Sequence, residues 1–210
     1  NITDATVNNA LSLIGNLQFA NLLPPTLNVK SIHITDAAVE VVNNFDALKS
    51  LTQLSTISLP LDDELLTLTS DRVLSSVPLL SKIASYLVDI TNVSINQLIQ
   101  LKSIDNSVLD TFAPIIDSPV LPNIQYYYLK DSADNFSDKY DEIISLGPNL
   151  KGLAFDDGLA HNFDVTHHQW MSSKDTLDSL VYGAEPNTSA PAPSYKFNIA
   201  DISANDIVTV

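Results

Sequence analysis

At 210 residues, of which 45% are hydrophobic, the chain is long enough to bury a substantial core and too apolar for a disordered tail. Its 10 Lys and Arg against 25 Asp and Glu give a formal charge of −15, which repels phosphate backbones and anionic lipids, so we expect no nucleic-acid partner. Cysteine is absent and every apolar run is far shorter than a membrane span, so we expect neither disulfides, nor thiolate metal sites, nor membrane insertion.

A short signature recurs along the chain: the apolar end of a strand, followed by a carboxylate or amide where a helix starts. The first copy is Ile2-Thr3-Asp4. Asp and Asn side chains at such a position accept hydrogen bonds from the first free N–H groups of a helix and favour the positive end of its dipole. We therefore interpret the last residue of each of the five copies as a helix cap; these residues are Asp4, Asp36, Asn92, Asp131 and Asp201.

Helical segments follow the first two copies. Apolar residues from Val7 to Leu17 recur at helical spacing, and Pro24-Pro25 ends the pattern in a loop. From Val39 onwards the apolar residues recur at every third position, which drifts around an ideal α-helix. We expect a helix to about Leu48 and an irregular turn after it.

Two short strands and a broken helix come next. Alternating apolar residues predict strands around Ile57 and Leu66. Thr69 or Ser70 should cap the following helix, and Pro78 should kink or divide it because proline lacks the N–H that an interior helical position donates.

The second half of the chain starts with two helical pieces after Asn92, and Pro114 ends the second of them. The run Tyr126-Tyr127-Tyr128 begins a strand. Tyrosine suits a half-buried pleat, so we predict core packing, with an exposed aromatic patch for glycans or protein as the alternative. Residues 183–194 contain three prolines and form a loop insertion.

The central stretch of the chain recurs later with its spacing kept. The strand Ile32–Asp36 returns 95 residues later as Tyr127–Asp131. The segment Tyr86–Asn92 matches Tyr195–Asp201, which aligns Asp89 with Asn198. A shared apolar skeleton with loops of variable length is typical of stacked supersecondary units.

This recurrence predicts the fold class. Strands separated by helices need crossover connections, which favour parallel pairing. We predict an α/β repeat, a solenoid-like stack of short, mostly parallel strands alternating with helices, leucine-rich-repeat-like in outline. A single repeat domain would cover the chain, with units at about 1–31, 32–92, 93–126 and 127–201.

Carboxylates crowd two corners that follow corresponding strands, at Asp62, Asp63, Asp156 and Asp157. Clustered oxygen ligands at a turn suit Ca²⁺, so these four residues are candidate calcium ligands. Solvated acidic turns are the alternative, because neither corner has the ligand spacing of an EF-hand. Apart from Ca²⁺ we expect no cofactor, since five glycines form neither a Rossmann nor a P-loop phosphate cradle.

Three histidines, His161, His167 and His168, lie near aspartates in the sequence, which suggests a metal site or acid–base chemistry. However, His167 and His168 are adjacent at a predicted helix start, where their side chains point about 100° apart and cannot easily chelate one ion. We therefore predict no catalytic residue here and take variable surface positions as the interpretation.

Four segments resemble repeat modules of very large secreted bacterial proteins of the haemolysin and adhesin type, which are exported by type I systems. These segments are Ile34-Thr35-Asp36, Asn44–Leu48, Ser55–Leu59 and Leu66–Thr69. The resemblance implies an RTX-like secreted protein that folds outside the cell with Ca²⁺. The chain lacks the Gly-Gly-x-Gly-x-Asp repeat of a calcium roll.

Our first hypothesis is a non-enzymatic structural or adhesive module of a larger secreted or cell-surface bacterial protein. Because the chain begins at Asn1 without a methionine, we expect it to be a mature or excised segment. Its partners would be other modules of the same protein, surface proteins or glycans. The alternatives are a calcium- or glycan-binding domain and a metal- or histidine-dependent hydrolase.

Overall fold

A computed structural model describes residues 1–19, 29–61, 64–111, 124–156, 162–178, 181–182, 186 and 196–202. The fold is α/β: short strands alternate with helices, and each strand pair with an assigned register is parallel. None of the helices among these residues combines the length and apolar character that crossing a membrane requires. The predicted loops at Pro24-Pro25, Pro114 and residues 183–194 lie outside the described residues, Pro186 excepted.

The chain divides into two compact units. Unit 1 comprises Asn1–Val88 and Ile104–Asn123, and unit 2 comprises Asp89–Ser103 and Ile124–Val210. The elements of unit 1 are β1 (Ile2–Ala5), α1 (Val7–Phe19), β2 (Ile32–Thr35), α2 (Ala38–Asn43), α3 (Phe45–Lys49), β3 (Leu54–Ser58), β4 (Glu64–Thr69), α4 (Ser70–Ser75), α5 (Val77–Leu80) and β5 (Ile83–Ala84). Its four-stranded sheet has the order β1-β2-β3-β5.

Strand β6 (Tyr86–Val93) begins in unit 1 and ends in unit 2, and α6 (Ile95–Thr111) follows it. The remaining elements are β7 (Ile124–Asp131), α7 (Ala133–Asp138), α8 (Tyr140–Ile144), a 3₁₀ turn (Gly147–Asn149), β8 (Leu150–Phe155), β9 (Asn162–Thr166), α9 (His167–Asp178), β10 (Val181–Tyr182) and β11 (Lys196–Ala200). In unit 2 the strands lie in the order β10-β8-β7-β6, and β9 pairs with β11.

Two of the predicted helices differ from the observed ones. The helix expected up to Leu48 is divided into α2 and α3 at Asn44, whose side-chain amide donates to the Glu40 carbonyl at 2.9 Å. The two pieces expected after Asn92 are one continuous helix, α6, because no proline or glycine interrupts it. The division of the later helix at Pro78 is confirmed, and so is the cap, since Thr69 Oγ1 accepts from the Arg72 N–H.

Strand pairing in the two units follows the same register. Ile32 lies opposite Leu54 and Ile34 opposite Ile57, with an irregularity after Ile32. In unit 2, Tyr127 lies opposite Leu150 and Leu129 opposite Leu153, with an irregularity after Tyr127. In each case the second strand contains one extra residue, Ser55 in β3 and Lys151 in β8, as in a β-bulge.

Apolar residues at every second strand position and one helix face form the core. Ile34 and Leu129, at the matching positions of β2 and β7, are buried. In the tyrosine strand, Tyr127 and Tyr128 are buried and Tyr126 is half-buried, which confirms the core-packing prediction. Burying such side chains is the main stabilising contribution to the fold, at roughly 25 cal/mol per Å² of apolar surface.

Four non-glycine residues have a left-handed backbone: Asp4, Ser85, Asn92 and Asp201. Ser85 (φ 47°) is exposed and lies between β5 and β6. A side chain with a Cβ atom is strained in this region, whereas glycine is not.

We expect Ser85→Gly to raise the free energy of unfolding by about 0.5 to 1 kcal/mol, because it relieves that strain. Urea unfolding measures the change. Ser81→Gly is the matched control: Ser81 is also exposed but has a right-handed helical backbone (φ −64°), so glycine there should destabilise. Equal effects at both positions would contradict the strain at Ser85.

Candidate functional site

Of the four candidate calcium ligands, Asp62, Asp63 and Asp157 lie outside the described residues. Asp156 follows β8 with its side chain exposed, and its N–H donates to the Asp131 carbonyl at 3.2 Å. Within the described ranges no three His, Asp or Glu side chains are grouped so that they could hold a metal ion. The calcium site stays a prediction.

The histidines are distributed in the same way. His161 lies outside the described residues, while His167 and His168 open α9. His167 is half-buried, and its ring centroid lies 6.4 Å from that of Trp170 at an interplanar angle of 33°. His168 is exposed. The structure therefore places His167 against an aromatic ring one helical turn further along.

A small cavity of about 250 Å³ lies in unit 1, lined by Leu48, Lys49, Ser75, Ser76, Pro78, Leu79 and Lys82. It contains none of the residues that the sequence suggested for a site. The Lys82 ammonium donates to the Leu54 carbonyl at 2.7 Å, which holds this lysine against β3.

The most fully satisfied carboxylate in unit 2 is that of Asp131, the last residue of β7. It is 7% exposed. One oxygen, Oδ2, accepts from the N–H of Ile95, the first residue of α6, at 2.8 Å. The other, Oδ1, accepts from the Ser132 N–H at 2.8 Å and the Asn135 side-chain amide at 2.7 Å. This side chain therefore joins the end of one strand to the start of the helix that precedes it in the chain.

Asp36 has the same arrangement in unit 1, directly after β2. Its Oδ2 accepts from the N–H of Val7, the first residue of α1, at 2.9 Å. Its Oδ1 accepts from the Ala37 N–H at 2.9 Å. Both carboxylates also lie at the positive end of a helix dipole, where a negative charge is stabilised.

The helix-cap interpretation of the five signature residues needs correction. Asp36 and Asp131 bind the helix of the neighbouring strand and not the one that follows them. Asp4 and Asn92 have left-handed backbones (φ 54° and 53°), so the chain turns there before the helix starts.

The caps come two residues later, where the turn ends. Thr6 Oγ1 accepts from the Asn9 N–H at 3.2 Å. Ser94 Oγ accepts from the Gln97 N–H at 3.3 Å, and Gln97 Oε1 accepts from the Ser94 N–H at 3.0 Å, which is a capping box.

A second carboxylate of unit 2, that of Asp89 in β6, has the opposite character. The residue is 2% exposed, and within the described part of the chain its Oδ1 has no hydrogen-bond partner. Burial raises the pKa of Asp89 to about 6, and a hydrogen bond with the Tyr126 backbone opposes that rise. Burial, followed by the charges of Asp89 and Tyr126, raises the pKa of Tyr128. Asp89 is thus a destabilising group at neutral pH.

Sequence reasoning missed both roles. The partners of Asp36 and Asp131 are distant in sequence, 29 and 36 residues away, so local spacing could not reveal them. Asp89 does carry a signal, since it is an acid within the apolar run from Leu87 to Ile90. A charged residue in a strand that is buried on both faces is unusual enough to mark it.

These contacts consume carboxylate oxygens in backbone hydrogen bonds, which is a structural use of charge. Comparison of the chain with protein-family models, curated proteins and solved structures found no match in any of the three.

Proposed function

We propose that the chain is a non-enzymatic structural or adhesive module of a larger secreted or cell-surface bacterial protein. In this proposal it contains two copies of one strand–helix–strand repeat, β1-α1-β2 and β6-α6-β7, within a solenoid-like stack. The supporting observation is that Asp36 and Asp131 make the same bond, from a strand end to the first N–H of the preceding helix.

Matching backbone details support the same proposal. The residues Asp4 and Asn92 have φ angles of 54° and 53° at the same distance before the two helices. Strand pairing in both units contains an irregularity at the corresponding place. Independent strands would have no reason to share a left-handed residue, a bulge and a cross-strand carboxylate.

The proposal assigns the polar groups a mechanical task. In a stack, each repeat must bind its neighbour as well as bury its own apolar face. A carboxylate that bonds to the preceding helix does this with a charged hydrogen bond, which is stronger than a neutral one. The net charge of −15 fits a module that stays dispersed outside cells.

A chimera tests the equivalence of the two copies. Replacing Ile90–Asp131 with a second copy of Ile2–Asp36 should leave a chain that still unfolds in one cooperative thermal transition, because each core position receives the same kind of side chain. Circular dichroism follows the transition.

The matched control inserts residues 3–37 in the same place, shifting the segment by one residue. Since strand side chains alternate between faces, this shift turns the apolar set outwards and should abolish the transition. An unfolded in-register chimera, or equal behaviour of the two chimeras, would contradict the repeat.

The role itself is tested by assaying the full chain for turnover of ester, peptide and glycoside substrates and for self-association or surface binding on coated beads. We expect association without turnover. Turnover that disappears in a variant with His161, His167 and His168 all changed to alanine would support the hydrolase instead and refute the module.

A further inference from the structure

Three strands in the molecule end in the same way. Asp4 in β1, Asn92 in β6 and Asp201 after β11 have φ angles of 54°, 53° and 60°. Each follows an apolar residue by two positions, at Ile2, Ile90 and Ile199. Since non-glycine residues rarely adopt this conformation, its occurrence at three aligned positions marks three strands of one kind.

The first two of these strands have the same neighbour. Beside β1 lies the parallel strand β2, followed by Asp36 with its bond to the N-terminus of α1. Beside β6 lies β7, whose final residue Asp131 bonds to the N-terminus of α6. Among the strands that the structure describes, β11 pairs with β9 alone.

The apolar side chains around β11 also differ from their counterparts in β6. Ile90 and Val93 are fully buried. The aligned residues Ile199 and Ile202 are half-buried and 47% exposed. Two positions that are buried where a β7-type strand and an α6-type helix are present are therefore open at β11.

We propose that the edge of β11 facing away from β9 is a docking site for a parallel strand of the β7 type, provided by another module of the same kind. This inference rests on the proposed repeat function and names the partner of its open end. The incoming strand would end in an aspartate that accepts from the first N–H of the helix following Asp201. Backbone hydrogen bonds along the edge would supply the pairing, as in other cases of strand addition.

A tandem fusion of the full chain provides the test. Residues 202–210 are replaced by a second copy of residues 93–201, which supplies the α6 and β7 counterparts in cis. We expect amide hydrogens of Lys196–Ala200 to exchange at least 10-fold more slowly than in the parent chain, as measured by exchange mass spectrometry. The appended copy should unfold together with β11.

Two variants of the appended copy separate specific docking from mere proximity. Changing its Asp131 to alanine should reverse much of the protection of Lys196–Ala200, whereas changing its exposed Asp134 to alanine should not. Unchanged exchange at β11 beside a folded appended copy overturns the proposal. An unfolded appended copy overturns it also, because the same sequence folds behind β6 in the parent.

The outcome is distinguishable from a failure of the proposed function. If the in-register chimera of Ile2–Asp36 folds while β11 stays unprotected in the fusion, the repeat stands and the docking edge is wrong. If that chimera fails as well, the repeat itself is wrong.

Discussion

Asp131→Ala is expected to lower the free energy of unfolding by about 2 to 4 kcal/mol. The substitution removes three hydrogen bonds to a buried carboxylate and leaves the Ile95 and Ser132 N–H groups without their acceptor. It also removes a negative charge from the positive end of the α6 dipole. Urea unfolding, followed by circular dichroism, measures the loss.

The matched control is Asp134→Ala, three residues further along. Asp134 is exposed in the first turn of α7, so its removal costs at most a few tenths of a kcal/mol from the dipole. Asp36→Ala should have an intermediate effect, because Asp36 accepts two hydrogen bonds and is less buried. A loss at Asp131 no larger than that at Asp134 would refute the role of the carboxylate.

Asp89→Asn is expected to stabilise the protein by about 1 to 3 kcal/mol at pH 7. The Asp89 carboxyl has its pKa raised by burial from 3.8 to about 6, so its charged form is less favourable in the folded chain than in the unfolded chain. Asparagine is neutral and has a similar shape. It also occurs at the aligned position, where Asn198 donates to Asp164 at 2.9 Å.

The sign of the pH dependence follows from the direction of the shift. Between about pH 4 and pH 6 the folded state binds the proton of Asp89 more readily than the unfolded state does, so stability falls as the pH rises through this window. Above pH 6 the penalty is complete. The gain from Asp89→Asn should therefore be largest above pH 6 and vanish below about pH 4.

Unfolding in urea at pH 4, 5, 6 and 7 checks this profile. Asp175→Asn, at an exposed position of α9, controls for the general benefit of removing one negative charge from an acidic chain. If Asp89→Asn gains no more than Asp175→Asn at pH 7, the buried carboxylate does not destabilise the fold.

The alternation of apolar residues was sufficient to predict the strands and their parallel, helix-connected arrangement. Ile34 and Leu129 illustrate why: a period of two places them on one face, and burial of that face decides the register. The division at Pro78 was equally readable, since proline cannot donate within a helix.

The candidate site was less predictable because its contacts are not local. An aspartate after a strand looks like a cap for the next helix, yet Asp131 binds a helix that begins 36 residues earlier. The left-handed turn at Asn92 shifts the actual cap to Ser94, and no local propensity distinguishes these two outcomes. Which neighbour a strand pairs with is a property of the fold, and the carboxylate contacts depend on it.

Amide exchange at Val7 and Ile95 tests most directly whether Asp36 and Asp131 do the same work. Hydrogen exchange by NMR in three chains, the parent, Asp36→Ala and Asp131→Ala, is the measurement. We predict that Asp36→Ala accelerates exchange of the Val7 amide while Asp131→Ala accelerates that of Ile95, each more than the amides of the other helix start. Unchanged protection of either amide in its own variant would contradict the shared strand-to-helix bond on which the account depends.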